Sequence, residues 1–203
     1  HPMFLFLDVI SPIPEIHLIN DKKIIVSIQI IQNNHEKLSD TIIPKYLEIQ
    51  ETYKLKDIIT HLILTTGPGS YTALRVGASF IAGLSQSMSL PVSIISSENI
   101  YEFLNNGNTH SGVYIKSSNN QKFLTFKKNG EFFHKKIESK DTILPQHISN
   151  LFCNFINDHS YNKDVNYISF SITRIILENL SNLIFKKNLI IKPKYISNNI
   201  ILN

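Results

Sequence analysis

Nineteen residues constrain this chain more than any others do. The stretch TTGPGSYTALRVGASFIAG, residues 65–83, holds four of the seven Gly, all three Ala and one of the two Arg of a 203-residue chain otherwise rich in Ile, Asn, Lys and Ser. The apolar run HLILTT precedes it, and Pro91 with PVSII follows. The spacing predicts a strand, a loop, a helix over about 72–89 and a second strand. A strand–helix–strand unit sets its two strands parallel in one sheet with the helix across a face, which fixes the class as α/β.

The loop admits three readings. Gly67 and Gly69 flank Pro68, and Ser70 or Thr72 can cap the helix that follows. Backbone N–H groups at such a terminus favour an anion, so Gly67, Gly69, Ser70, Thr72 and Arg75 form a candidate anion-binding loop. The same residues also make an economical strand-to-helix corner, and neither GxxxxGK[ST] nor GxGxxG is present. In the third reading small residues serve close approach: Ala78, Ala82, Ser85 and Ser89 fall on one helical stripe, open to an internal neighbour or to another protein. Arg75, one turn into the helix, is expected to brace the loop or to hold an anion.

Around this unit, FLFLDVI reads as a buried strand, EIHLIN and KIIVSIQII as a hairpin, and residues 35–54 as a helix with Ser39 or Asp40 as cap and Pro44 in its first turn. Beyond the polar NNGNTHSG, three short strands are expected in GVYIKS, KFLTFKK and EFFHKKI. A helix is expected after Pro145 (QHISNLFCNFIND), then a strand near VNYISF, a helix in TRIILENLSNLIFKK and a last strand in LIIKPKYI. The division is 1–107 and 108–203.

Charge and cysteine usage narrow the function classes. The net charge is +4, and the lysines are scattered rather than gathered into a stripe with Arg and aromatics, which argues against a direct nucleic-acid groove. The single Cys153 lies in the apolar LFCNFI and reads as a packed thiol in a reducing compartment. The opening HPMFLFLDVI lacks a basic segment and cleavage site, and the uncharged run 76–95 is broken by Ser, Gln and Pro91, so neither a leader nor a membrane span is expected. Residence is expected to be cytoplasmic. Among the eight His, His35, His61 and His110 have no partner at metal-ligand spacing, and no Gly-x-Ser-x-Gly elbow is present.

GPGSYTALRVGASFIAGLS followed by LPVSIISS resembles the TsaB (YeaZ-like) family, whose usual form is G-P-G-S-[FY]-T-G-[LIV]-R-[IV]-G, a helix, then I-P-x-x-x-x-S-S. FLFLDVI and NNHEKLSDTIIPKYLEI extend the likeness backwards, and KPKYI resembles the family's closing segment. The resemblance implies a two-lobed ASKHA fold (actin-like ATPase, RNase H-like), with an N-terminal RNase H-like lobe and a smaller C-terminal one. It implies a noncatalytic partner of a TsaD-like enzyme in forming threonylcarbamoyladenosine on tRNA, with a TsaE-like ATPase completing the complex and tRNA met only indirectly. The helices at 36–52 and 72–89 would form the heterodimer interface, with Ala78, Ala82, Ser85 and Ser89 in it; without the partner, a homodimer through the same helices is expected.

No catalytic residue, metal or intrinsic cofactor is assigned, ATP belonging to the complex. TsaD-like relatives carry a His-x-x-x-His metal pair whose equivalents here are Ser97 and Tyr101, and a hydroxyl and a phenol do not make such a site. Asp8, followed by VISPIPE rather than a Gly-rich turn, is left as a residue of the interlobe cleft serving the fold or an ion. The family pattern is departed from at Ala73, where it has Gly, and at Ser197, where it has Arg. The alternatives are an independent metallopeptidase-like or ATPase enzyme of this fold and a direct tRNA-binding module.

Overall fold

The computed structural model describes residues 1–105, 107–138, 144–155, 164–197 and 200–202. The chain opens with an antiparallel meander, β1 (Met3–Asp8), β2 (Glu15–Asn20) and β3 (Lys23–Gln29). Helix α1 (Leu38–Tyr53) and the short α2 (Leu55–Ile58) lead to β4 (His61–Gly67), α3 (Tyr71–Met88), β5 (Val92–Ser96) and α4 (Ser97–Asn105). β4 runs parallel to β1 and β5 parallel to β4, giving the order β3-β2-β1-β4-β5. The non-alternating FLFL of β1 fits this central place, because a strand covered on both faces has no side to leave polar.

A second sheet repeats the plan. The meander β6 (Ser111–Lys116), β7 (Lys122–Lys128) and β8 (Glu131–Ile137) is extended by β9 (Asn150–Cys153) parallel to β6 and β10 (Asn166–Ser169) parallel to β9. Its order, β10-β9-β6-β7-β8, is that of the first sheet read from the other edge. The chain ends in α5 (Ile172–Glu178), a 3-10 turn (Leu180–Asn182) and a small hairpin of β11 (Tyr195–Ser197) and β12 (Ile200–Leu202). Among the described residues no helix is long and apolar enough to cross a membrane.

The core does not divide where the sheets do. Ile172, Ile176 and Leu180 belong to the same buried cluster as Leu5, Leu64, Leu74 and Ile100, with Phe185, Leu189 and Tyr195 packed against it. The second sheet's other face holds its own smaller cluster around Tyr114, Leu124 and Leu151. The last part of the chain therefore returns to the first lobe.

Several expectations are corrected. The segment after Pro145 contains the strand β9 rather than a helix: Ile148 and Leu151 have helical spacing, but the open edge of β6 supplies a parallel partner, and pairing outweighs local periodicity. The helix expected over TRIILENLSNLIFKK stops at Glu178, and of LIIKPKYI only Tyr195 and Ile196 enter a strand, β11. A further helix, α4, begins directly where β5 ends. Lys37, not Ser39 or Asp40, stands at the N-cap of α1, and Pro44 lies in its second turn on the exposed side. The N-cap of α3 is Ser70, not Thr72, which is exposed and inside the helix.

Candidate functional site

The glycine-rich corner is closed by the protein itself. Gly67 has φ +108°, and a Cβ placed there would meet the Lys194 carbonyl oxygen at 2.9 Å. Lys194 N–H donates to Thr66 O at 2.8 Å, and the Tyr71 hydroxyl donates to Ile196 O at 3.0 Å beside the Tyr195 ring. The C-terminal segment thus lies across the start of α3. Ser70 makes no side-chain cap bond; its Oγ accepts from Asn119 Nδ2 at 3.0 Å, a contact from the β6–β7 hairpin of the other lobe. Asn119 also borders a polar cleft of about 430 Å³ with Pro12, Pro14, Gln29 and Asn33. Of the five residues of the candidate anion loop, Gly67 and Ser70 are enclosed by these contacts and Gly69 lies against Ile10. Thr72 and Arg75 face outward, and among the described residues Arg75 makes no hydrogen bond or ion pair, so the brace expected of it is absent.

Asp8, at the end of β1, folds the turn that follows. Its Oδ1 accepts from the backbone N–H of Ile10 and of Ser11, both at 3.0 Å, and from Thr65 Oγ1 at 3.4 Å; Ser11 Oγ donates to Oδ2. Asp8 is only 2% exposed, and burial raises its pKa above the ordinary value against the pull of those donors. A folded-state pKa above the unfolded one means that the native state binds the extra proton, so the contribution of Asp8 to stability falls as pH rises from 3.8 upward. Asp8→Asn keeps the acceptor and removes the charge. Its stability relative to wild type is expected to increase between pH 4 and 7 in urea titrations; a constant difference across that range would contradict it.

The small residues of α3 do not form one outward stripe. Ala78 is buried in the core and cannot reach a partner, because Ala73, Gly77 and Ala78 are what let α3 lie close on the sheet: a Cβ at Gly77 would stand 3.0 Å from Val9 Cγ1 and 3.3 Å from Leu64 Cδ1. Ser85 is half-buried and donates to Leu90 O at 2.6 Å; Ser89 is the exposed left-handed cap. The outward line is Thr72, Arg75, Ser79, Ala82 and Gln86, with Gly83 beside it. α1 packs on α3 through Tyr46 against Phe80, ring centroids 5.4 Å apart, and exposes Ile43 and Leu47 on either side of Tyr46 in sequence.

The positions of the relatives' metal pair are enclosed and committed. Ser97, fully buried, shares a hydrogen bond with Thr125 at 2.7 Å, and Tyr101, 2% exposed, donates to Asn108 O at 3.1 Å. Among the described residues no group of three or more His, Cys, Asp or Glu side chains stands where it could hold a metal. Beside Ser97, the His134 ring meets Thr125 Oγ1 at 2.8 Å through Nδ1 and faces Glu98 Oε1 at 3.5 Å through Nε2, while Lys194 pairs with Glu98 Oε2. No spacing along the chain signals this cluster, whose members come from α4, β7, β8 and the C-terminal segment.

His134, and then Lys194, hold the Glu98 carboxyl down at about 2. A depressed carboxylate pKa contributes stability above the unfolded value of 4.5 and loses it as pH falls through about 2. Glu98→Gln is therefore expected to be less stable than wild type at neutral pH and to converge with it only as pH falls to about 2 and below, read from thermal melts. A gap that persists there would mean that the carboxylate charge is not the source.

The family model described as TsaD: tRNA N6-adenosine threonylcarbamoyltransferase matches residues 26–143, more than half of the chain. The chain belongs to this family. Among solved structures it is similar to YeaZ from Pseudomonas aeruginosa, 13% identical over 75% of each chain with a TM-score of 0.51. It is also similar to a Pseudomonas aeruginosa protein described as resembling peptidase YeaZ (14%, 75% of each chain, TM-score 0.46). The ethanolamine utilization protein EutJ from Carboxydothermus hydrogenoformans is a third (7%, 87% of each chain, 0.46). No curated protein matches. The likeness to YeaZ is one of fold: the paired five-stranded sheets are the two-lobed, RNase H-like ASKHA architecture. The match begins in β3 and ends past β8, so it spans α1, α3, the corner and, of the Ser97 cluster, every member named here but Lys194.

Proposed function

We propose that the protein acts in tRNA threonylcarbamoyladenosine formation as a noncatalytic, TsaB-type partner of a TsaD-like transferase, docking through the outward faces of α1 and α3. The observation that carries this reading is the surface itself. Ile43 and Leu47 are 55% and 53% exposed one turn apart on α1, and α3 beside it offers small, uncharged Ala82 and Gly83. An apolar pair next to a close-approach face is what a partner helix buries.

Two further features support a partner over an enzyme. The hydroxyl and phenol at 97 and 101 are tied into packing, and the corner that could cradle phosphates is filled by Lys194 and Asn119. ATP then belongs to the assembled complex, which includes a TsaE-like ATPase, and tRNA is met through the transferase. Without its partner the chain pairs with a second copy through the same helices, and it works in the cytoplasm. The test is the mass of an equimolar mixture with the TsaD-like protein of the same cell, measured by light scattering at about 20 μM, where a complex of ordinary affinity is saturated. Two separate masses overturn the reading; ATP turnover or tightly bound metal in the isolated chain would favour the enzyme instead.

A further inference from the structure

Away from the docking helices and the interlobe cleft, the second lobe holds an open cavity of about 860 Å³. Its walls come from the residues entering β6, the turn between β7 and β8, and the residues entering β9. That volume is in the range of small-molecule sites.

Two histidines build it. His110 Nδ1 lies 3.2 Å from His147 O, and His147 Nε2 lies 3.0 Å from Lys127 O. A carbonyl oxygen can only accept, so each ring spends its N–H on the backbone and its tautomer is fixed. The lone pairs are left on His110 Nε2 and His147 Nδ1, neither of which has a hydrogen-bond partner among the described residues. The same two bonds stitch all three walls together.

The charge of the lining has one sign. Lys127 is drawn onto Glu102 and over the Phe132 ring, whereas Lys128 makes no ion pair among the described residues. Asn129 and Gly130, both with positive φ, form a two-residue turn closed by the Lys128–Glu131 pair, so their N–H groups lie outside the ladder. Among the described residues no carboxylate lines the cavity. A wall that combines a free ammonium, unclaimed amides and two fixed imidazole acceptors calls for a ligand with an anionic end and hydroxyl donors. A bare cation meets the lysine; a bare anion meets two lone pairs.

We infer that this cavity binds a sugar phosphate, the phosphate against Lys128 and the turn amides, and sugar hydroxyls donating to His110 Nε2 and His147 Nδ1. The site is separate from the docking surface and does not depend on the function proposed above. The shared chemistry, a ribose phosphate, occurs as a free metabolite and as the repeating unit of RNA.

The experiment is calorimetric titration of the full chain with ribose 5-phosphate, ribose, inorganic phosphate and a tetraribonucleotide. Saturable binding of the sugar phosphate is expected, with ribose and phosphate alone each weaker by roughly tenfold or more, the worth of one charge-assisted hydrogen bond. Lys128→Gln and His147→Gln should each weaken it by roughly tenfold. Lys128→Gln alters an exposed side chain and should leave the melting temperature unchanged, so its loss of binding stands even if His147→Gln disturbs the turn. Tighter Lys128-dependent binding of the tetraribonucleotide assigns the chemistry to an RNA strand, and tighter binding of the monosaccharide to a metabolite; both support the inference. It is overturned by absence of saturable binding, by inorganic phosphate binding equally well, by an unchanged Lys128→Gln, or by Zn²⁺ competing for the two imidazoles in preference to the sugar phosphate.

Discussion

Ile43→Glu combined with Leu47→Glu is expected to weaken association with the TsaD-like transferase by at least about a hundredfold while leaving the monomer folded. Both side chains stand more than half exposed on α1, so a charge in either place meets water in the free protein and disturbs no core contact. In a complex those two positions would be desolvated at the centre of a helix-to-helix contact. Leaving two unpaired carboxylates there amounts to several kcal/mol, well beyond the roughly 2.7 kcal/mol that a hundredfold represents. Titration calorimetry gives the affinity, and circular dichroism the fold. Ala82→Arg, on exposed α3, tests the second helix in the same way. If the double variant binds as wild type does, the docking face lies elsewhere on the molecule.

Gly67→Ala is expected to destabilise the protein by about 3 kcal/mol, or a fall of roughly 6–12 °C in melting temperature for a chain of this size. Two effects add. At φ +108° any side chain is strained by about 1–3 kcal/mol. The new Cβ would also stand 2.9 Å from Lys194 O and from Leu74 Cδ1, and the first of these is backbone that can yield only by lifting the C-terminal segment from β4. Gly83→Ala supplies the contrast. Its Cβ meets nothing within 4 Å in an exposed helical turn, so helix propensity alone acts and the variant should gain about 0.5–1 kcal/mol. Urea denaturation of the two variants side by side decides the matter; equal stabilities would remove the close approach at Gly67 from the account.

Much of this was legible in the residues, for reasons that differ by region. The strand–corner–helix–strand unit was readable because its signals are local: an apolar run, a Gly-Pro-Gly turn and a helical period lie within thirty residues of one another. Strand β9 was not, because what makes Asn150–Cys153 extended is the open edge of β6, nearly forty residues earlier in the chain. The small-residue stripe of α3 was half legible. Periodicity placed Ala78 and Ala82 on one face but could not say that the neighbour of Ala78 is the sheet, since that depends on how α3 rolls against Val9 and Leu64. His134, Glu98 and Lys194 carried no spacing signal at all, being brought together only by the packing of both lobes on the C-terminal segment.

That segment has a consequence for how the protein is made. A chain halted on the ribosome after β10 would already carry every strand of both large sheets. It would still lack Ile172, Ile176 and Leu180 from its principal core, the Lys194 bond to the end of β4 and the counter-charge for Glu98. Domains ordinarily fold in the order of their synthesis, N-terminal first. Here the first lobe cannot reach its final packing until residues 172–196 have left the exit tunnel, so the half of the molecule that holds α1 and α3 waits on a segment made long after its own strands and helices.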